Sequence, residues 1–346
     1  EHCFPYQDNM KSRWGLIGSL KLEDWSRGRV RPHENILRAP AADRYELLRA
    51  CKANFSPVMG IYRSRLGIPD LFPGEIRRNP DFSATDDYGV VYSAWVVTDP
   101  QSTRRAARFL SRKTIYIADG HHRYSMALAY MKERQARLRH YTGREPFNYV
   151  MMALMSATDP GLITLPTHRL VRGVGQEYLS GLETGLAAHF REVQRLPLLA
   201  SLSETAQAWQ QALEAQGTGA FGVYLRPQGE LRVAVARDRV AIEAMLPEEQ
   251  PAAWRTLDVS LLHWVVLRGM LGIATPQQEE ASLEFTRDPL EAISRVNSGE
   301  FQMAFFLNPL PLSSLFAVAD AGARMPQKTT YFYPKTATGL VINPLF

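Results

Sequence analysis

Hydrophobic and polar positions alternate in two registers along this chain, and each change of register marks an element. Trp14 to Leu22 alternates with the period of two that suits a strand, whereas "DRYELLRACKANF", residues 43–55, carries its apolar side chains at helical spacing. "GVVYSAWVVTD" reads as a further strand, "STRRAARFLSRK" as a basic helix, and Thr114-Ile115-Tyr116-Ile117 as a β-branched and aromatic strand. Tyr124, Ala127, Leu128 and Met131 then recur at helical spacing, with Lys132, Glu133 and Gln135 toward solvent. From about Gly175 the order is helix, strand, helix and hairpin, in which "RPQG" turns "AFGVYL" into "ELRVAVA". A helix over "DVSLLHWVVLRGML" follows, then "SLEFT", a helix from Asp288, "FQMAFFL", a helix from Ser313 to Ala321, and "TTYFYP". The pattern predicts a mixed α/β fold, without internal repeat, low-complexity tract or clear linker.

Composition narrows this picture. The 346 residues, 45% hydrophobic and 22% charged, suit one large or two modest domains. The net charge of +5 comes from 40 basic against 35 acidic residues with no block of one sign, which gives no ground for nucleic acid as a partner. Only seven of the basic residues are lysines, so those near the C-terminus stand out. The longest apolar runs, "NYVMMALMSA" and "LLHWVVLRGMLGIA", are short or interrupted by His263 and Arg268 and read as core rather than membrane spans. No signal or transit sequence opens the chain, and Cys3 and Cys51 have neither metal-binding nor redox spacing, so the expected compartment is reducing and cytoplasmic. A start on Glu1, on what reads as a mid-domain strand, leads us to expect an N-terminal truncation.

Candidate chemistry concentrates in "IADGHHRYSMAL", where Asp119-Gly120 breaks the strand from the helix. A helix opening after a glycine turn leaves first-turn N–H groups without helical acceptors, where the dipole favours an anion. His121, His122 and Arg123 add donors, Arg123 as a planar fork suited to phosphate, while Asp119 can hold Mg²⁺ or cap the helix. A capped turn with a solvated arginine accounts for the same residues, and chemistry alone does not separate the two. The literal match of Gly217–Gly222 to the dinucleotide fingerprint is discounted, because a strand rather than a helix follows it. No Walker-type, GxSxG or HExxH motif is present, and adjacent His121 and His122 point apart, against one shared metal.

Two further stretches are dense in polar groups. One joins His33 and Glu34 to Asp43, Arg44, Asn54 and Ser56; the other joins Lys328, Thr329, Thr330 and Lys335 to a proline-bounded aromatic strand. A charged loop and a guarded edge strand are the plain readings of each taken alone. Taken in order, "GLIGSLKLEDW", "PHEN", "ADR", "ANFSP", "IADGHHRYSMAL", "DPGLITLPTHRL" and "MPQKTTYFYPKTATGLVINPL" closely resemble the family known as domain of unknown function 1015, nearly end to end. Members usually carry a further N-terminal segment. The "DGHHR" turn is in turn similar to the phosphate-binding turn of the ParB and sulfiredoxin superfamily, which includes free-serine kinases.

That resemblance implies a ParB/sulfiredoxin-like nucleotide-binding core over 1–168, an additional α+β subdomain over 169–275, and a C-terminal segment, 276–346, returning to the core site. It implies Glu34 as the base that takes a hydroxyl proton. Asp119, as catalytic group and metal ligand, would act with Gly120, His121, His122 and Arg123 at the phosphates, and Lys328, Thr329 and Thr330 would help hold the ligands. The function this resemblance implies is a nucleotide-dependent small-molecule phosphotransferase, of which a free-serine-type kinase is one form, using ATP or ADP with Mg²⁺ on a small hydroxyl-bearing substrate. The alternatives are a nucleotide-binding regulatory protein without transferase activity and a metal-dependent phosphoesterase.

Overall fold

The computed structural model describes residues 1–35, 38–226 and 229–346, with only the backbone at 38–42. It divides into two compact units, one of Glu1–Ile163 with Phe332–Phe346 and one of Thr164–Tyr331. Residues 169–275 and 276–331 form one unit, and only the last stretch of the chain returns to the first.

The first unit is built on a five-stranded mixed sheet of β1 (Leu16–Lys21), β2 (Val30–Arg31), β3 (Val58–Tyr62), β4 (Ile115–Asp119) and β5 (Tyr149–Ser156), in the order β1-β5-β3-β4-β2. Its longer helices among the described residues are α1 (Arg38–Cys51), α2 (Pro100–Leu110) and α3 (His121–Arg137). β3 and β5 are buried along almost their whole length, as continuous apolar strands in the middle of a sheet must be. At Gly60 a Cβ would lie 2.7 Å from Ile115 Cγ2 and 2.9 Å from Met152 Sδ, so only glycine fits that crossing. On α3, Tyr124, Ala127 and Leu128 are buried and Met131 packs beside them, as the spacing predicts. Glu133 and Gln135 are not simply solvated. Glu133 takes the Tyr45 hydroxyl and Arg137, and Gln135 donates to Asn148.

Two predicted elements end early, each for a local reason. The α1 helix stops at Cys51 because Lys52 takes a left-handed conformation, φ 50°, and Ala53–Asn54 is a short strand instead. The strand in "GVVYSAWVVTD" covers only Val91–Ala94, since Trp95 turns its Nε1 to the Arg78 carbonyl and the Val96 N–H goes to Asp81.

The second unit is one antiparallel sheet of β6 (His168–Val171), β7 (Phe190–Pro197), β8 (Ala220–Leu225), β9 (Glu230–Ala236), β10 (Leu283–Thr286) and β11 (Met303–Leu307), ordered β7-β9-β8-β11-β6-β10. The central place of β11 between β8 and β6 is what unites residues early and late in this unit. The predicted hairpin is present, with Ala220 opposite Val235 and Tyr224 opposite Leu231; its central Pro227 and Gln228 lie outside the described residues. Trp209, Leu213, Ile293 and Val296 pack from two helices onto Tyr224, Leu231 and Phe306. The glycine run 217–219 is a loop leading into β8, as its context predicts. "DVSLLHWVVLRGML" is helical, α over Asp258–Leu261 and π over Leu262–Met270. Among the described residues no helix is long and apolar enough to cross a membrane.

Asp258 accepts from the Gly219 N–H at 2.6 Å, and burial raises its pKa to about 6. The folded state thus holds this proton more tightly than the unfolded chain, and stability falls as pH rises from about 4 through about 6. Asp258→Asn keeps an acceptor for Gly219 and removes the charge. Urea unfolding should show the variant about 1–3 kcal/mol more stable than the parent at about pH 8 and no more stable at about pH 4. An unchanged pH slope would contradict this.

Candidate functional site

The residues singled out in the first unit converge because of how two strands are paired. β2 runs parallel to β4, Val30 beside Ile115 and Arg31 beside Tyr116. The "PHEN" segment leaving β2 and the Asp119-Gly120 turn leaving β4 therefore emerge at the same edge of the sheet. β3 runs antiparallel to β4, with Met59 opposite Asp119, which brings the start of β3, Ser56 and Pro57, to that edge as well.

Gly120 makes the turn with φ 93° and ψ 29°, and its carbonyl accepts the Tyr124 N–H, the first bond of α3. A Cβ at Gly120 would sit 2.9 Å from both Nε and Nη2 of Arg123, whose guanidinium lies back across the turn. Arg123 donates from Nη2 to Asp119 Oδ2 at 2.5 Å and from Nη1 to the Pro57 carbonyl at 2.6 Å. The other Asp119 oxygen accepts from Lys335 Nζ. Burial draws the Arg123 guanidinium below its ordinary pKa, with Asp119 pulling it up and Arg44 lowering it further.

Glu34 and His33 meet the first turn of α3 beside this cluster. The His33 N–H donates to His121 Nε2 at 3.3 Å, so the neutral His121 carries its proton on Nδ1, which faces Glu34 Oε2 at 3.8 Å. His33 Nδ1 lies 2.8 Å from the Ile117 carbonyl and must donate there. The two imidazoles stand edge to face with centroids 4.6 Å apart. His121 and His33 are buried, whereas a quarter of the Glu34 side chain is exposed and His122 is half-buried. Of the arginines near Glu34 in sequence, Arg31 donates from Nε to the Gly28 carbonyl, and the Arg38 side chain lies outside the described set.

Lys335 reaches Asp119 because the last stretch of the chain is strapped to the first unit. Arg13, only 1% exposed, donates to the Tyr333 carbonyl at 3.1 Å and the Pro334 carbonyl at 2.7 Å. Beyond the lysine, Thr338 Oγ1 is 2.7 Å from Ser56 Oγ, the Gly339 N–H bonds the Phe55 carbonyl, and Asn343–Pro344 pairs with Ala53–Asn54. Lys328, Thr329 and Thr330 belong to the second unit. There Lys328 is exposed with φ 55°, its carbonyl accepting from Arg169, while Thr329 is buried and donates to the Pro326 carbonyl. Within the first unit, the lysine that meets Asp119 is Lys335, at the other end of the same late segment. Lysine scarcity marks Lys335 as strongly as Lys328, and His33 and Pro57 carry no signal beyond their place in "PHEN" and "ANFSP". Among the described residues no group of three or more His, Cys, Asp or Glu side chains is arranged to hold a metal ion.

The model of the family described as protein of unknown function DUF1015 matches residues 2–260. The chain belongs to this family. The span shared with DUF1015 takes in Glu34 and the 119–123 turn but not Lys335. No curated protein matches the chain. Similar solved structures include a conserved hypothetical protein from Pyrococcus furiosus, at 12% identity and TM-score 0.41 over 95% of this chain and 94% of that one. A free serine kinase in complex with AMP is similar at 11% identity and TM-score 0.43, over 99% and 98%. A C-terminally truncated SbnI from Staphylococcus aureus is similar at 9% and 0.42, over 95% and 87%. Likenesses this remote carry nothing about chemistry.

Gly120→Ala tests the turn. Strain at a left-handed position together with the 2.9 Å approach to Arg123 should cost about 1–3 kcal/mol in unfolding free energy. A variant as stable as the parent in chemical denaturation would show that Arg123 does not need to lie across the turn.

Proposed function

We propose that the first unit binds a nucleotide with its phosphates at the first turn of α3, and that the protein is a nucleotide-dependent small-molecule phosphotransferase of free-serine-kinase type, with a ParB/sulfiredoxin-like core. The observation that carries this reading is the meeting of Glu34, His121, Asp119, Arg123 and Lys335 at one sheet edge. A helix N-terminus supplies amides and a favourable dipole for an anion. Two cations share a single carboxylate at Asp119, so the trio has net positive charge. Arg123 uses two of its five N–H donors on Asp119 and Pro57, which leaves donors for phosphate oxygens, and Lys335 adds a second positive charge beside them. Phosphoryl transfer needs mainly this positioning and charge neutralisation, with one carboxylate near the acceptor hydroxyl, and the nearness of Glu34 to the first turn of α3 supports giving it that role.

Mg²⁺ fits this site only in company with the nucleotide. Asp119 is the one carboxylate at the turn, and its two oxygens face Arg123 and Lys335, so phosphate oxygens and water would complete the shell, as is usual for this ion. When bound, it would add charge neutralisation at the phosphates.

Calorimetry with ATP and ADP, followed by turnover with free amino acids and other small alcohols as acceptors, tests the reading. Arg123→Ala should weaken nucleotide binding by about 1.5–3 kcal/mol. Glu34→Gln should leave nucleotide affinity nearly intact and lower turnover by about two to four decades. Equal affinity in a folded Arg123→Ala variant would remove the phosphates from this turn, and equal turnover in Glu34→Gln would remove Glu34 from the chemistry. Binding without transfer to any acceptor would make this a nucleotide-binding regulator; hydrolysis without an acceptor would make it a phosphoesterase.

A further inference from the structure

We infer that a cavity within the second unit, at the start of β6, binds a small carboxylate-bearing molecule. The inference is independent of the nucleotide reading. The cavity measures about 40 Å³, several times the space of about 10–15 Å³ that one water needs, so it takes a group of a few heavy atoms. Its polar wall includes Thr167, Arg169, Asp258 and Thr329, and Leu257, Val259 and Leu307 contribute apolar surface.

Arg169, Thr167 and Thr329 are each at most 7% exposed. The Arg169 guanidinium is fixed in plane by backbone carbonyls, Nη1 donating to Thr167 and Nη2 to Lys328 at 3.3 Å, and it lies over the Phe285 ring, 5.5 Å from its centroid. Thr167 Oγ1 is buried and has no hydrogen-bond partner within the protein. A buried hydroxyl left unmatched costs about 1–3 kcal/mol, so its place on the wall of a cavity beside a guanidinium points to a ligand oxygen. Thr329 spends its hydroxyl proton on the Pro326 carbonyl, which leaves Thr167 as the hydroxyl donor facing the ligand.

A carboxylate suits this wall better than a phosphate. The planar fork of arginine fits a carboxylate with two parallel bonds. Burial raises the Asp258 pKa to about 6, so its carboxyl can donate to a bound carboxylate only below that pH, and propionate should bind more weakly at about pH 8 than at about pH 5.5. The apolar part of the wall accommodates a short aliphatic stem, which inorganic phosphate lacks.

The test uses the whole chain without nucleotide. Line broadening of ¹³C-labelled propionate should report saturable binding, with Kd on the order of 1 mM for so few heavy atoms. Thr167→Val removes a hydroxyl that bonds nothing in the protein, so it should fold at least as well as the parent and bind propionate about five- to tenfold more weakly. Arg169→Gln should abolish binding; the valine variant decides the matter where the glutamine variant does not fold. No saturable propionate binding, equal affinity in Thr167→Val, or tighter binding of inorganic phosphate than of propionate in competition would each overturn the proposal. Loss of nucleotide binding in Arg123→Ala with propionate binding intact would show that the two sites stand apart.

Discussion

Asp119 is the joint on which the first unit's candidate site depends. It is the last residue of a central strand, it holds the guanidinium of the helix that follows, and it receives the ammonium of a lysine from the far end of the chain. Strand, helix and C-terminal strap are thereby referred to one carboxylate. Partial exposure of all three side chains keeps each ion pair modest in free energy, so the value of the arrangement lies in position rather than stability. It also sets the sign of the local field, since one negative group faces two positive ones at the positive end of a helix.

The turn itself was legible because everything that makes it is local. A β-branched strand, a glycine forced to positive φ and an apolar helical repeat lie within a few residues of one another, and each follows from short-range chemistry. The approach of Glu34 to His121 was not legible in this way. It depends on a two-residue parallel pairing between β2 and β4, and no periodicity marks so short a strand. Nor was the meeting of Lys335 with Asp119, because it depends on Arg13. That arginine looks in sequence like any surface arginine, yet it is buried and holds the carbonyls just before Lys335.

Polar burial in the second unit tells a related story. His168 accepts the Leu307 N–H on Nδ1, and burial lowers its pKa to about 3, so it stays neutral and serves the sheet. Next to it on the same strand, Arg169 stays charged and is met by carbonyls. Sequence adjacency gives no hint of this division, since alternation along a strand sends neighbours to opposite faces. What distinguishes them is the partner each meets, a backbone N–H for His168 and backbone carbonyls for Arg169.

The strap that carries Lys335 has a consequence for the order in which the protein is made. Every residue of the second unit, Thr164–Tyr331, is synthesised between the strand that ends in Asp119 and the lysine that joins it. On the ribosome, the first unit's sheet can assemble long before its ammonium partner has left the tunnel. Asp119 and Arg123 then wait as a pair, and the trio closes only after the second unit has emerged. A nascent or prematurely terminated chain is therefore left with an open turn, and completion of this site doubles as a record that translation has passed through the whole of the inserted unit.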